Sequence, residues 1–180
     1  MMGWDVSLTR ALAGPFADWA EWVTHLGEPL VALPLLVGGL VSLRGVAGLR
    51  RLTRPVLLGG LVLLALVQGM KRSIDRPRPA AVLSELRGLP GGHLRAHAFP
   101  SGHSAFGAYV AGVLAMAATS ALLSAAVVGV GLAVAWSRVA IGAHWFGDVV
   151  VGLALGFLLA FLALRRHRGV LQDGSDEVSR

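Results

Sequence analysis

Five apolar stretches of 16 to 18 residues divide most of the chain, and they cover residues 26–43, 55–70, 104–120, 121–136 and 149–164. These lengths lie at or just below the ~17–25 residues that a membrane-spanning helix needs. The third and fourth stretches adjoin, so Thr119–Ser124 is predicted to form a tight turn between antiparallel helices. The pattern predicts an all-α, polytopic membrane helix bundle with about five transmembrane helices.

The first 25 residues follow a different pattern, because charged side chains interrupt every apolar run. This argues against a signal peptide, and the tryptophan spacing favours an amphipathic helix at the membrane interface. We therefore divide the chain into an interfacial helix (1–25), a transmembrane domain (26–168) and a disordered cytoplasmic tail (169–180).

Composition supports a membrane protein. Of 180 residues, 55% are hydrophobic and 14% are charged, whereas soluble domains carry about 25% charged residues. The absence of cysteine excludes disulfides, thiolate metal sites and cysteine nucleophiles. A net charge of +6 could suit nucleic acid, but the arginines flank apolar stretches, so the expected partners are the bilayer and a membrane lipid, with no nucleic acid.

The arginine clusters predict an orientation. Residues 44–54 and 165–168 are rich in arginine, and such clusters mark the cytoplasmic ends of spans. Alternation of the five helices then places residues 71–103 and 137–148 together on the extracytoplasmic side.

Three polar segments on that side carry candidate chemistry. After the second stretch, Lys71 and Arg78 could clamp an anion, or they could be the basic end of a span. At the start of the third, Pro100, Ser101, Gly102 and His103 predict a helix N-terminus, whose unpaired amides attract anions. His103 could equally be structural.

The third segment places His144 and Asp148 one helical turn apart, after Arg138. The carboxylate could accept the Nδ1 proton of His144 and leave Nε2 free as a nucleophile or base. A purely structural hydrogen bond would give the same spacing.

The three segments read Lys71-x6-Arg78-Pro79, Pro100-Ser101-Gly102-His103 and Ser137-Arg138-x5-His144-x3-Asp148. In order and spacing they resemble the signature of the type 2 phosphatidic acid phosphatase superfamily, over residues 26–164. The resemblance implies that His144 attacks phosphorus, Asp148 orients its ring and His103 protonates the leaving oxygen. The residues implied to hold the phosphate are Lys71, Arg78, Ser101, Gly102 and Arg138.

The resemblance implies catalysis without a cofactor or a metal, and the chain lacks the acidic cluster that magnesium prefers. Two arginines outside the signature, Arg72 and Arg76, could be solvated or could contact a second phosphate or lipid headgroups.

We expect an integral-membrane lipid phosphatase in the plasma membrane. Its substrate would be a lipid phosphate monoester or a polyprenyl diphosphate; phosphatidate, phosphatidylglycerol phosphate and undecaprenyl diphosphate are candidates. Three alternatives are a phosphotransferase with the same intermediate, a vanadate-dependent haloperoxidase and a non-catalytic membrane protein. The sequence leaves the substrate and the oligomeric state open.

Overall fold

The helices of the protein follow the apolar stretches of its sequence. The structure is a computed structural model that describes residues 3–13, 17–86 and 96–167. The α-helices are α1 (Gly3–Leu12), α2 (Ala17–Thr24), α3 (Pro29–Ser73), α4 (Pro79–Val82), α5 (Gly102–Ala117), α6 (Ala121–Ala140) and α7 (Phe146–Leu164). Short 3-10 turns occupy His25–Gly27 and Arg165–His167. The predicted tail, residues 169–180, lies outside the described residues.

Gly45 interrupts the 45-residue helix α3 and reverses the direction of the chain. Its φ of 65° and ψ of 179° lie in a region that glycine adopts far more readily than residues with a Cβ. The interruption leaves two arms, α3a (residues 29–44) and α3b (residues 46–73). The predicted stretches 26–43 and 55–70 therefore belong to separate arms.

Contacts with α5 establish that the two arms are antiparallel. Gly27, just before α3a, lies against the first turn of α5, and Arg44 at the far end of α3a donates a 2.8 Å hydrogen bond to the carbonyl of Ala117. Helix α3b returns in the opposite direction, because Lys71 near its end lies beside Gly102 at the start of α5. The arginine-rich segment 44–54 thus contains the turn at Gly45 and the first residues of α3b.

Helix α5 lies at the centre of the bundle and packs against α3, α6 and α7. The close contact with α7 depends on Gly152 and Gly156, as the small-residue spacing of the sequence suggests. A Cβ on Gly152 would lie 2.6 Å from the carbonyl oxygen of Ser101, and one on Gly156 would lie 2.2 Å from that of Ala105. Neither position has room for a side chain.

Three described helices are long and apolar enough to cross a membrane: Pro29–Ser73, Ala121–Ala140 and Phe146–His167. Helix α5 is apolar but has only 16 residues, or about 24 Å at 1.5 Å per residue. With α3 counted as two arms, the described helices match the five predicted stretches, and the turn between α5 and α6 falls at residues 118–120. The predicted helical membrane fold is confirmed.

The bundle has two chemically different ends. At the site end, the segments 71–103 and 137–148 meet in their described parts: Arg78 Nη1 donates to the carbonyl of Ala143 at 3.1 Å, and the Ser101 amide donates to that of Asp148 at 3.1 Å. This agrees with the sequence, which places both segments on one side. The opposite, arginine end carries Arg44, Arg50, Arg51, Arg54, Arg165 and Arg166.

The N-terminal segment forms two helices where the sequence predicted one. Helix α1 packs against α6 and α7, and α2 packs mainly against α6. Trp19 and Trp22 on α2 are 75% and 78% exposed, which suits an interfacial location, although that location stays a prediction. Both helices lie at the site end, where they contribute to the site itself.

Candidate active site

A cavity of about 400 Å³ opens at the site end, where α3b, α5 and α6 converge. Six of the eight site residues predicted from the sequence line it: Lys71, Arg78, Gly102, His103, Arg138 and His144. The other two, Ser101 and Asp148, are fully buried beside it. Segments more than 60 residues apart in sequence therefore form one site.

Three cations line the cavity, and a bond to another part of the protein holds each in place. Lys71 Nζ donates to the carbonyl of His97 at 2.9 Å, Arg78 to that of Ala143, and Arg138 Nη1 to the hydroxyl of Thr24. Arg78 and Arg138 are only 8% and 3% exposed. Among the described residues, the Nε atoms of both arginines are buried without a hydrogen-bond partner.

Such an arrangement suits an anion. A buried guanidinium is costly unless a charge or an acceptor compensates it, and these two retain unused donors. Burial, more than any other effect, lowers the pKa of Arg78, while the Asp148 carboxylate opposes that shift. A phosphate in the cavity would supply the missing acceptors.

His144 adopts the tautomer that a nucleophile needs, but its orienting partner differs from the predicted one. Its Nδ1 lies 2.7 Å from the carbonyl oxygen of Ala98 and 3.7 Å from the Asp148 carboxylate. Because a carbonyl only accepts, Nδ1 carries the proton and Nε2 keeps its lone pair. The predicted Nδ1–Asp148 hydrogen bond is therefore replaced by a bond to the backbone.

Electrostatics favour the neutral form of this ring. His144 is 2% exposed, and burial lowers its pKa well below the usual value. The positive charges of Arg78, Arg138 and Lys71 act in the same direction, because each disfavours a further cation nearby. The neutral imidazole is thus the favoured form of His144 in the folded protein.

Asp148 lies in the first turn of α7, where its carboxylate accepts hydrogen bonds that stabilise the start of the helix. Its Oδ2 accepts from the backbone amide of Trp145 at 3.0 Å, and its Oδ1 accepts from the guanidinium of Arg76. The carboxylate lies near His144 without bonding it, and its contact with the chain beside His144 is the hydrogen bond from the amide of Trp145.

Ser101 and Gly102 begin α5, as the sequence indicates. The Ser101 hydroxyl is the N-cap and accepts from the amide and hydroxyl of Ser104 at 3.3 and 2.8 Å. The first intrahelical bond runs from Ala105 to the Ser101 carbonyl, so the amides of Gly102 and His103 precede the helical pattern and suit an anion. The Ser101 hydroxyl is thus engaged at the helix start, and its predicted contact with phosphate stays a prediction.

The opposite wall of the cavity was not predicted. Glu21, Thr24, His25 and Glu28 line it, and His25 Nδ1 lies 2.9 Å from the Glu28 carboxylate. These four positions follow the i, i+3, i+4, i+7 spacing of one helical face, which was the available signal in the sequence. Within the described ranges, no three His, Asp or Glu side chains are grouped as metal ligands.

Arg76 is one of the two arginines outside the signature whose role the sequence left open. Its guanidinium bonds the carboxylates of Asp5 and Asp148 and lies over the ring of Trp145, 5.4 Å from its centroid. Arg76 is therefore an internal ion-pair partner, and the alternatives of solvation or headgroup contact are corrected for this residue.

Comparison with known protein families identifies the family to which the chain belongs. Residues 54–170 match the model of the PAP2 superfamily, which is more than half of the chain. The chain belongs to the PAP2 superfamily. No curated protein sequence matches it significantly.

Two solved structures share its fold. The crystal structure of Aquifex aeolicus LpxE superposes with a TM-score of 0.77 at 23% identity, covering 91% of this chain and 96% of that one. A transmembrane PAP2-type phosphatidylglycerolphosphate phosphatase from Bacillus subtilis superposes with a TM-score of 0.71 at 27% identity, covering 92% and 85%. Family, fold and apolar helices together support a membrane lipid phosphatase.

Proposed function

We propose that the protein hydrolyses a lipid phosphate monoester or a polyprenyl diphosphate through a phosphohistidine on His144. The cavity carries this proposal: it combines three cations, the start of α5, a second histidine and a neutral imidazole with Nε2 free. Phosphoryl transfer needs positioning and charge stabilisation above all, and these groups supply both.

In the first step, Nε2 of His144 forms a bond to phosphorus while the bond to the leaving lipid oxygen breaks. His103, which lines the same cavity, donates a proton to that oxygen from its imidazolium form, which the negative charge of a bound phosphate favours. Lys71, Arg78, Arg138 and the amides at the start of α5 stabilise the charge on the equatorial oxygens. The Ala98 carbonyl keeps the attacking ring oriented and stabilises it as it becomes positively charged.

In the second step, water attacks the phosphohistidine and transfers a proton to His103. The N–P bond breaks, inorganic phosphate leaves and His144 returns to its neutral form. These steps use protein groups alone, so we propose that the reaction is independent of metal ions.

The candidate substrates are phosphatidylglycerol phosphate, phosphatidate and undecaprenyl diphosphate. The similarity to the phosphatidylglycerolphosphate phosphatase from Bacillus subtilis, at 27% identity, supports including the first. All three place a phosphate at the membrane surface, where we expect the cavity to open.

The test is phosphate release by purified protein in detergent with EDTA present, on these three lipids, for the wild type and for His144→Ala. Loss of a catalytic nucleophile costs at least about 1,000-fold in rate, so release should fall to background in the variant. His167→Ala, at the arginine end, is the matched control. Undiminished release by His144→Ala, or loss of activity with EDTA, would overturn the mechanism.

The same assay with labelled donor and a lipid alcohol separates hydrolysis from phosphotransfer. Label in inorganic phosphate supports the hydrolase, whereas label retained in a new lipid would identify the phosphotransferase.

We also propose that the site faces the extracytoplasmic side of the plasma membrane, because the arginine clusters occupy the opposite end. The chain has no native cysteine, so a single one can be introduced at exposed Ser84 near the site or at exposed Ala47 at the arginine end. A membrane-impermeant maleimide should label only Ser84→Cys in intact cells. Labelling of Ala47→Cys alone would reverse the orientation.

A further inference from the structure

We propose that Asp5 and Arg76 are positioning residues for His144, and that helix α1 is a strut that holds the catalytic loop in place. This proposal rests on the proposed function. It begins from a buried network at the start of α7, outside the residues that line the phosphate cavity. The side chains of Asp5, Arg76 and Asp148 are 4%, 19% and 0% exposed.

Helix α1 caps the start of α7 from a distant part of the chain. The amides of Phe146 and Gly147 belong to the first helical turn and have no intrahelical acceptor. Thr9 Oγ1 accepts from Phe146 at 3.1 Å, and Asp5 Oδ1 accepts from Gly147 at 2.9 Å. More than 130 residues separate these partners, so α1 must dock for the caps to form.

Arg76 joins this cap to the catalytic loop. One arm of its guanidinium bonds Asp5, the other bonds Asp148, and its plane lies over Trp145, the residue after His144. Trp145 is held further by a 2.7 Å bond from its indole to the carbonyl of Pro77. The network therefore fixes the C-terminal side of His144.

The backbone of Arg76 fixes the other contact of His144. The carbonyl of Arg76 accepts from the amide of Ala98 at 2.9 Å, and the carbonyl of Ala98 accepts from Nδ1 of His144. Arg76 thus contacts both the residues that follow His144, Trp145 and Asp148, and the residue whose carbonyl orients the His144 ring, Ala98. A shift of Arg76 moves the carbonyl that orients the ring and the peptide that carries it.

A guanidinium is needed at this position because two buried carboxylates, Asp5 and Asp148, lie on either side of it. Without Asp5, Arg76 is free to tilt toward Asp148 alone, and the amide of Gly147 loses its acceptor. Misplacement of a reacting group by about 1 Å can cost ~100-fold in rate. The cations that hold the phosphate are untouched, so substrate binding should change little.

The test compares Asp5→Asn and Arg76→Gln with two controls, Asp75→Asn and Arg10→Gln. Asp75 and Arg10 have exposed side chains, 76% and 55% accessible, at the same end of the protein. We expect kcat to fall by roughly 10- to 100-fold in the two variants, with KM within about twofold of wild type. The controls should keep wild-type kcat.

Two further measurements separate positioning from simple loss of fold. Thr9→Val removes one cap acceptor at nearly constant side-chain shape. Its kcat should fall, while its melting temperature should stay within a few degrees of the wild-type value. In ¹⁵N-histidine spectra, the ring signals of His144, assigned with His144→Gln, should shift in Asp5→Asn and stay unchanged in Asp75→Asn.

The outcomes are distinct. Unchanged kcat per folded molecule in Asp5→Asn, Arg76→Gln and Thr9→Val would overturn the strut, as would a rise in KM at constant kcat, since Arg76 would then bind substrate. If the wild type releases no phosphate from any lipid, the proposed function fails instead. The His144 spectra, which need no substrate, still decide the positioning role.

Discussion

The two ends of the bundle use the same residue type in opposite ways. At the arginine end, Arg50, Arg51, Arg54, Arg165 and Arg166 are exposed, and water or headgroups solvate them at little cost. At the site end, Arg78 and Arg138 are buried and keep unused donors. Exposed arginines mark the side of the membrane on which a loop lies. Mostly buried ones need an internal partner, as Arg76 has in Asp5 and Asp148, or an anion, as we propose for Arg78 and Arg138. Arg44, at the arginine end, is half-buried and also keeps an unpaired Nη1.

Burial is what separates the two roles. An exposed charge contributes little to stability and tolerates replacement, while a buried cation is retained only if something compensates its lost hydration. Substitutions at matched positions of the two ends should therefore differ sharply in effect.

The largest difference is expected between Arg138→Gln and Arg165→Gln. Removing the buried donor should lower kcat/KM by roughly 100- to 1,000-fold, as for other groups that stabilise transition-state charge. Arg165→Gln should leave the rate unchanged. Steady-state phosphate release from the best substrate measures both, and equal rates would remove the basis for the comparison.

The second difference concerns two glycines, one packed against a neighbouring helix and one facing open space. Gly152→Ala places a methyl against the Ser101 carbonyl at the site end, and overpacking of this kind costs about 1–3 kcal/mol. Gly129→Ala on α6 meets open space and should stabilise the helix by up to ~1 kcal/mol. Unfolding in detergent by denaturant titration gives both values. A stable Gly152→Ala would mean that α5 and α7 separate easily.

The third prediction concerns pH. Because the pKa of His144 is lowered in the folded protein, the unfolded chain takes up a proton below pH ~6.5 that the native state does not. The contribution of His144 to the free energy of unfolding should be fully present above pH ~6.5. Below that pH, the free energy of unfolding should decline by up to about 1.4 kcal/mol per pH unit.

Comparison of wild type with His144→Gln at pH 7.5 and 5.5 isolates this effect. The stability advantage of the wild type should shrink at the lower pH. An advantage independent of pH would show that the imidazole is solvated.

The smallest effect is expected on the acidic wall of the cavity. Glu28→Gln removes a negative charge beside the phosphate site, so inorganic phosphate should inhibit more strongly, by roughly two- to fivefold at moderate salt. Glu85→Gln, an exposed carboxylate at the same end, is the control. Equal inhibition constants would place Glu28 too far from the bound anion to matter.

The sequence alone determined the class of fold and most of the candidate site. The lengths of the apolar stretches predict the helices, and the arginine clusters predict which helix ends lie on the same side of the membrane. The position of Pro100 and Ser101 just before an apolar stretch predicts the start of α5. These are local properties, readable over a few tens of residues at most. They singled out Lys71, Arg78, Gly102, His103 and His144, and the resemblance to the family signature added Arg138.

Partners across long distances were decided only by the tertiary structure. Spacing favoured Asp148 as the acceptor for His144, yet the backbone carbonyl of Ala98 lies closer and Arg76 holds the carboxylate. Asp5 reaches Arg76 across 71 residues, and Glu28, at the start of α3, joins the cavity wall. Helical periodicity indicates which side of a helix a group lies on, but hydrogen bonds depend on distances of about 3 Å, which only the packed helices define.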